Sequence, residues 1–451
     1  MKANTAIFIL LVLLLAGCAT QTYAPQPLEP ARAAESFRAR SLADAGMGAV
    51  EAWDLPQLTQ AALRLHPDLD VARAQWRAAQ AAAVTAGQKP NPAISTGAEH
   101  HSKAGSISPW TLMLGIDIPI ETHGKRKARM EQAAAMSEAA RLDIAQSAWQ
   151  IRSRLRAQLL AVYSVQQQAA QLQREVAIRT QIVSLLEARL AAGLVGGTDL
   201  SDARLQLQKA RTALEVESVR RPETLASLAA AVGLPEAALA GVPLSFAAFG
   251  HDSIELPEQD VQRAALLNRL EIRKALASYD AAEAKLKLEI AKQYPDFSLA
   301  PGYSWDQGDN RWSLGLSLIL ALLNKNEGPI AEAKALRDLE SQQFNALQAG
   351  IIGEQSQALA RWRAAQEEIS RTHQLVAAQQ ARLDQTQRQF NAGYADRLEL
   401  TSAQLELVNA ETGVVAGRLK AQRALGQLED AVQQPLDGSA LLPEPPQENP
   451  Q

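Results

Sequence analysis

The chain has 451 residues, a net charge of −4 and only 4% aromatic residues. The mild acidity gives no reason to expect a nucleic-acid partner, and a single cysteine, Cys18, excludes an intramolecular disulfide. Few aromatics with abundant Ala, Leu, Gln, Arg and Glu point away from several compact globular domains and toward long helices and coiled coils.

The N-terminus carries one lysine and an apolar run from Ala6 to Leu15, then Leu15-Ala16-Gly17-Cys18. The run is too short to cross a bilayer and reads as a signal peptide, residues 1–17. Small residues before a cysteine form a lipoprotein cleavage site, so Cys18 is the expected lipidation site and mature N-terminus. Ala19, where an aspartate would retain the chain at the inner membrane, directs it to the outer membrane of a Gram-negative bacterium. Residues 18–56 then read as a lipidated, extended tether with Pro25, Pro27, Pro30 and Pro56 and no sustained periodicity.

The first repeat spans 57–256. Residues 58–88 are Ala-rich and helical in pattern, ended by Pro90-Asn91-Pro92. Two strands come next, 93–102 and 110–120. In the second, Trp110, Leu112, Leu114, Ile116, Ile118 and Ile120 alternate with Thr111, Met113, Gly115, Asp117 and Pro119. Period-two alternation over about ten residues marks a membrane β-strand, apolar toward lipid and polar or mixed toward a lumen. From Arg126 to Ala191 there is neither proline nor glycine. A helix over that run would extend roughly 100 Å, with near-heptad apolar spacing that asks for coiled-coil support. Gly193, Gly196 and Gly197 break it, a second helix runs from about Thr198 to Gly233 with Pro222 inside, and residues 233–256 form an irregular equatorial segment.

The second repeat, 257–434, restates this plan: a helix over 258–292, strands 297–305 and 312–320, and a proline-free helical run to Gln434 split by Gly393. Its last strand carries Trp312, Leu314, Leu316 and Leu318 on one face. At an offset of 200, Ala192, Gly193, Leu200, Ala203, Leu205, Leu207 and Ala210 recur as Ala392, Gly393, Leu400, Ala403, Leu405, Leu407 and Ala410. Leu114-Gly115-Ile116 recurs as Leu314-Gly315-Leu316, so the halves are a duplication. The proline-rich end, 435–451, is expected to be disordered.

Four membrane strands cannot close, because the smallest usual membrane barrel has about eight and an open edge in lipid leaves backbone groups unpaired. The barrel must be shared between chains. The helices after each glycine turn carry two apolar stripes, as a wall with neighbours on both sides requires.

On the Ala-Gly turns followed by Asp199-Leu200 and Glu399-Leu400, the lipobox at Cys18 and the duplicated plan, the chain resembles the TolC-like outer membrane efflux factors over essentially its whole mature length. The resemblance implies a mostly α protein with membrane β: a homotrimer whose twelve strands form one barrel, continuing into a periplasmic α-helical barrel of about 100 Å. It implies a passive conduit that completes a tripartite system with a periplasmic adaptor protein and a proton-driven inner-membrane pump. Lys89-Pro90-Asn91-Pro92 and Gly124-Lys125-Arg126-Lys127-Ala128-Arg129 resemble the heavy-metal branch, the outer channels of cobalt–zinc–cadmium and copper–silver exporters. Physically, Lys125–Arg129 is expected to be a solvated first helical turn that also meets lipid headgroups.

No catalytic constellation, phosphate loop or i,i+4 histidine pair is present, so no enzyme activity, cofactor or metal site is expected. His100 and His101 point to opposite faces of a strand and read as polar rim residues. The acids beside the glycine turns, Asp199, Asp202, Asp396 and Glu399, would become rings in a trimer and select cations at a periplasmic gate. Arg397 is expected to pair with Asp202 or Glu399, with Gly193 and Gly393 as hinges. The family's gate acids match Asp199, Asp202 and Glu399, while Ser402 departs from the pattern. As helix N-terminal acids these residues also have a plain role, favourable interaction with the helix dipole. Alternative readings are an outer channel for multidrug efflux or type I protein secretion, and a periplasmic coiled-coil scaffold without a pore.

Overall fold

The computed structural model describes residues 22–48, 50–102, 108–250, 269–319 and 323–436. The signal peptide, Cys18, the start of the 258–292 helix, Leu320 and the tail beyond residue 436 lie outside the described residues. The chain divides into two compact units, Met1–Arg40 and Ser41–Gln451. Within the first, the stretch expected as an extended tether contains a helix, α1 (Pro30–Arg38), which has no buried residue and starts on a proline whose missing N–H loses nothing there.

In the second unit the tether expectation is again corrected. Leu42–Ala45 form a 3-10 turn closed by a Ser41–Asp44 capping box. Leu42, Ala45 and Trp53 are buried in the main core. Trp53 pairs in parallel with Leu244 through its N–H to the Pro243 carbonyl and its own carbonyl to the Ser245 N–H, 2.9 Å each. Helix α2 (Leu55–Leu65) starts on a reciprocal Asp54–Gln57 capping box. The single helix expected over 58–88 is two: α2 stops at His66 and α3 (Pro67–Ala86) begins at the proline. A residue before proline is pushed out of the α region, and His66 sits at φ −75, ψ 123.

Strands β1 (Ala93–His100) and β2 (Trp110–Ile120) lead into α4 (Lys125–Ala191), a 67-residue helix, and α5 (Gly197–Val232), which runs through Pro222. The second half gives α6 (Leu270–Ala291), β3 (Phe297–Asp306), β4 (Asp309–Leu318), α7 (Glu327–Asn391) and α8 (Arg397–Val432). β1 is two residues shorter than expected, and β4 lies three residues earlier at its start.

The helices form a layer. Toward the sheet, α3 packs on α4, α4 on α6 and α6 on α7; away from it, α5 packs on α4, α4 on α8 and α8 on α7. The main core lies midway along α4, where Ile151, Leu155 and Leu159 meet α2, the end of α5 and Phe249. A second cluster joins α7 to α8 around Trp362, Leu425 and Leu428. A buried polar seam joins α4 to α8: Arg152 and Arg156 reach the fully buried Glu429 at 3.0 and 3.2 Å. Gly426 makes room for this, since a Cβ there would stand 2.5 Å from Nη1 of Arg156.

Candidate functional site: a two-faced sheet and the helix tips

The four strands form one antiparallel sheet in the order β1-β2-β3-β4. Its register sorts the side chains cleanly. One face carries Ile94, the Trp110-to-Ile120 series, Phe297, Leu299, Tyr303 and Trp305, and the Trp312-to-Leu318 series. Its outer strands are not covered: Trp312 is 82% exposed, Leu314 71% and Ile94 71%. The other face is built mostly from small and polar residues, Ser95, Gly97, Thr111, Gly115, Gly302, Ser304, Ser313 and Ser317, with Met113 set between Gly97 and Ser304. Glycine leaves room here: a Cβ on Gly115 or Gly302 would stand 2.7 Å from the Oγ of Ser95 or Ser313 and make that hydroxyl turn away. A sheet that curls toward one face crowds it, so small side chains belong on the inside of the curve.

At the loop end of the small-residue face a polar chain runs from the residue after β1 across β2, β3 and β4. His101 Nε2 lies 3.0 Å from Thr111 Oγ1, and the Thr111 hydroxyl donates to Asp306 Oδ1 at 2.6 Å. Arg311 pairs with the other Asp306 oxygen at 2.6 Å. His100 instead meets the edge of Trp110 on the apolar face. Among the described residues, no group of three His, Cys, Asp or Glu side chains could hold a metal ion.

At the opposite end, the Gly-Lys-Arg run is a clasp, which corrects the expectation of a solvated turn against headgroups. Lys125 is buried and its Nζ donates to the Tyr294 carbonyl at 2.7 Å and to Asp296 at 2.8 Å. Arg126 caps the end of α3 through the Gly87 carbonyl, and Arg129 forks onto both oxygens of Glu121. His123 stacks on Tyr294 at 3.6 Å. The strands and the long helices are thereby tied together by residues from both halves; only Lys127 of the basic run is well exposed, at 82% of its side chain.

The glycine turns close both long helices identically. Gly193 and Gly393 adopt φ +72 and +79, and the next residue, Leu194 or Tyr394, returns its N–H to the carbonyl of Arg189 or Gln389. Nothing crowds either glycine, so the left-handed backbone alone demands it. The two turns differ in how the next helix starts. α5 has no side-chain cap, while α8 is capped by Asp396, whose Oδ1 accepts from the N–H groups of Leu398 and Glu399 at 2.7 and 3.0 Å. Glu399 returns a bond to the Asp396 N–H.

The second oxygen of Asp396 pairs with Arg189 at the end of α4, 2.5 Å away. The Glu399 amide, with the Arg189 guanidinium, holds the Asp396 carboxyl below the usual range. This pair joins the tip of one repeat to the tip of the other, and Leu398 packs beside it against Val183, Leu186, Leu200 and Leu207. Arg397 lies over the Phe390 ring, 5.8 Å from its centroid, and within the chain no ion pair joins it to Asp202 or Glu399 among the described residues. Asp199 and Asp202 are exposed on α5.

Arg189 is the tip residue that reading the sequence missed. Its signal lay in the duplication: at the 200-residue offset Arg189 faces Gln389 and Gly196 faces Asp396. The two repeats have exchanged a charge each, as partners across an interface do.

The sequence profile of the outer membrane efflux proteins matches residues 58–234 and 261–432, most of the chain. The chain belongs to the outer membrane efflux protein family. It is 26% identical over 249 residues to the cobalt-zinc-cadmium resistance protein CzcC of Cupriavidus metallidurans, covering 54% of this chain and 57% of that protein, a little over half its length. It is 25% identical over 347 residues to the pyoverdine export outer membrane protein OpmQ of Pseudomonas aeruginosa, covering 69% and 71%. Among solved structures it superposes on the outer membrane protein VceC of Vibrio cholerae with a TM-score of 0.69 at 22% identity, covering 84% of this chain and 96% of that one. The efflux-protein fold thus accounts for both the two-faced sheet and the long helix pairs.

Proposed function

We propose that three copies of this chain close a twelve-stranded barrel in the outer membrane and continue it as a helical tunnel through the periplasm. The observation that carries the reading is the sheet itself, one face largely apolar and open to the outside, and both edge strands, β1 and β4, unpaired on their outer sides among the described residues. Water does not suit the face, and neither water nor lipid suits the edges unless other copies supply the missing strands. The helical layer repeats the pattern: its flanking helices expose Val216 and Val219 on α5 and Ile352 and Leu375 on α7. Lipid attachment at Cys18 would hold the N-terminus in the same membrane. The channel would work passively, with the periplasmic adaptor and inner-membrane pump of a tripartite system engaging it and supplying the driving force.

The gate reading centres on the Arg189–Asp396 pair, with exposed Asp199 and Asp202 as acid rings at the tunnel's end and Gly193 and Gly393 as hinges. An acid-lined end favours cations. Heavy-metal cations are the cargo we favour, on the likeness to CzcC; the likeness to OpmQ supports organic cargo as a second reading. Deletion of the gene should sensitise cells to zinc, cobalt or cadmium and leave dyes and antibiotics unaffected; the reverse pattern would transfer the cargo to the second reading. Channel function is tested in planar bilayers, where the purified protein should conduct poorly at rest. Asp396→Ala, which removes both the cap and the pair, should raise conductance several-fold, and Arg189→Ala should do the same. Wild-type conductance in both variants would remove the pair from the gate.

A further inference from the structure

Midway along α4 and α5 the irregular segment 239–246 overhangs the groove between the two helices and makes a cleft of about 1020 Å³. Its deep wall is apolar, with Val162, Val165, Leu225, Leu239, Val242 and Phe246. Tyr163 backs Phe246 with ring centroids 5.3 Å apart. One charged group lies deep among them. Glu217 is only 8% exposed; its Oε1 accepts from Arg220 at 3.0 Å, and its Oε2 has no hydrogen-bond partner. A buried carboxylate oxygen without a donor is a costly feature, and a cleft of this size is large enough to admit a molecule that supplies one.

We propose that this cleft binds an organic ammonium, an amphiphilic primary amine whose apolar body fills the groove and whose N–H groups bond Glu217 Oε2. The chemistry excludes other classes. An anion would meet the carboxylate. A metal ion would find one free oxygen where it needs several ligands, and no three-ligand cluster exists among the described residues. Arg220 pairs with Oε1 alone, so Oε2 is the carboxylate oxygen left for a donor from the ligand, while Arg221 and Gln166 are solvated on the exposed rim. The residues that line the cleft all come from one chain, so the proposal is independent of cargo and gate.

The test uses the full-length protein in nonionic detergent with dansylcadaverine, a fluorescent primary amine, and its N-acetylated, uncharged form. Saturable emission enhancement is expected with the amine and not with the acetylated form. Glu217→Gln keeps the shape and the oxygen that Arg220 needs, and should weaken binding at least tenfold. Val242→Trp fills the groove while leaving the carboxylate, and should abolish binding. Equal binding by Glu217→Gln or by the acetylated probe would overturn the proposal. So would the absence of saturable binding to the wild type, the outcome expected if water or a neighbouring copy fills the cleft.

Discussion

His66 shows how one residue can set the pH range of a fold. It is 5% exposed at the join of α2 and α3, and its Nδ1 accepts the Asp68 N–H at 3.2 Å. Burial pushes its imidazole pKa down. The unfolded chain therefore takes up a proton first as pH falls below about 6.5, and stability is lost from there down to the folded-state pKa. His66→Asn keeps a capping acceptor and removes the titration, so its melting temperature should fall less between pH 7 and pH 5 than that of the wild type; equal losses would absolve His66. Asp396 behaves oppositely. Its depressed pKa keeps it ionised well below neutrality, so mild acid at pH 5 should leave the Arg189 pair, and resting conductance, unchanged. At this scale the sequence was partly legible. Asp396 and Glu399 stood out as acids beside the glycine turn, at the start of a helix. Arg189 did not, because a basic residue in the last turn of a helix has an ordinary role there.

Among the elements, alternation in β2 and β4 and the uninterrupted run of α4 could be read directly, since period two and the absence of proline and glycine are local properties. The breaks were harder. Pro67 was passed over as an interior residue of one helix, though the residue before it is barred from the helical region. The Gly-Lys-Arg turn was assigned to solvent because its partners, Tyr294 and Asp296, lie about 170 residues away. Pattern cannot supply such a partner; topology does. The two faces of β4 give a sharp element-level prediction. Leu314→Arg places a charge on the apolar face, a cost of about 2–4 kcal/mol at mid-bilayer, and should block recovery of the protein in the outer membrane fraction. Ser313→Arg, one residue away on the small-residue face, should be recovered there and should alter conductance. Similar recovery of the two would mean that the faces are misassigned.

For the whole molecule, the flanking helices matter as much as the strand edges. Val219 on α5 is 73% exposed and Leu375 on α7 is 50% exposed, a wasteful arrangement for a chain that stands alone. On the proposed trimer, Val219→Asp should shift the protein toward smaller species in native mass spectrometry, while Lys127→Ala, at a solvated position, should not. The sequence showed that four strands could not close; the count of three came only with the family, because nothing in one chain states how many copies complete a ring.

The unpaired edges of β1 and β4 also carry a genetic consequence. If each ring needs every edge, a copy with a ruined edge spoils the two sound copies beside it. In a cell expressing both alleles equally, only about one ring in eight would escape. An edge-strand allele should therefore act as a dominant negative, producing sensitivity even with the normal gene present. A null allele should remain recessive.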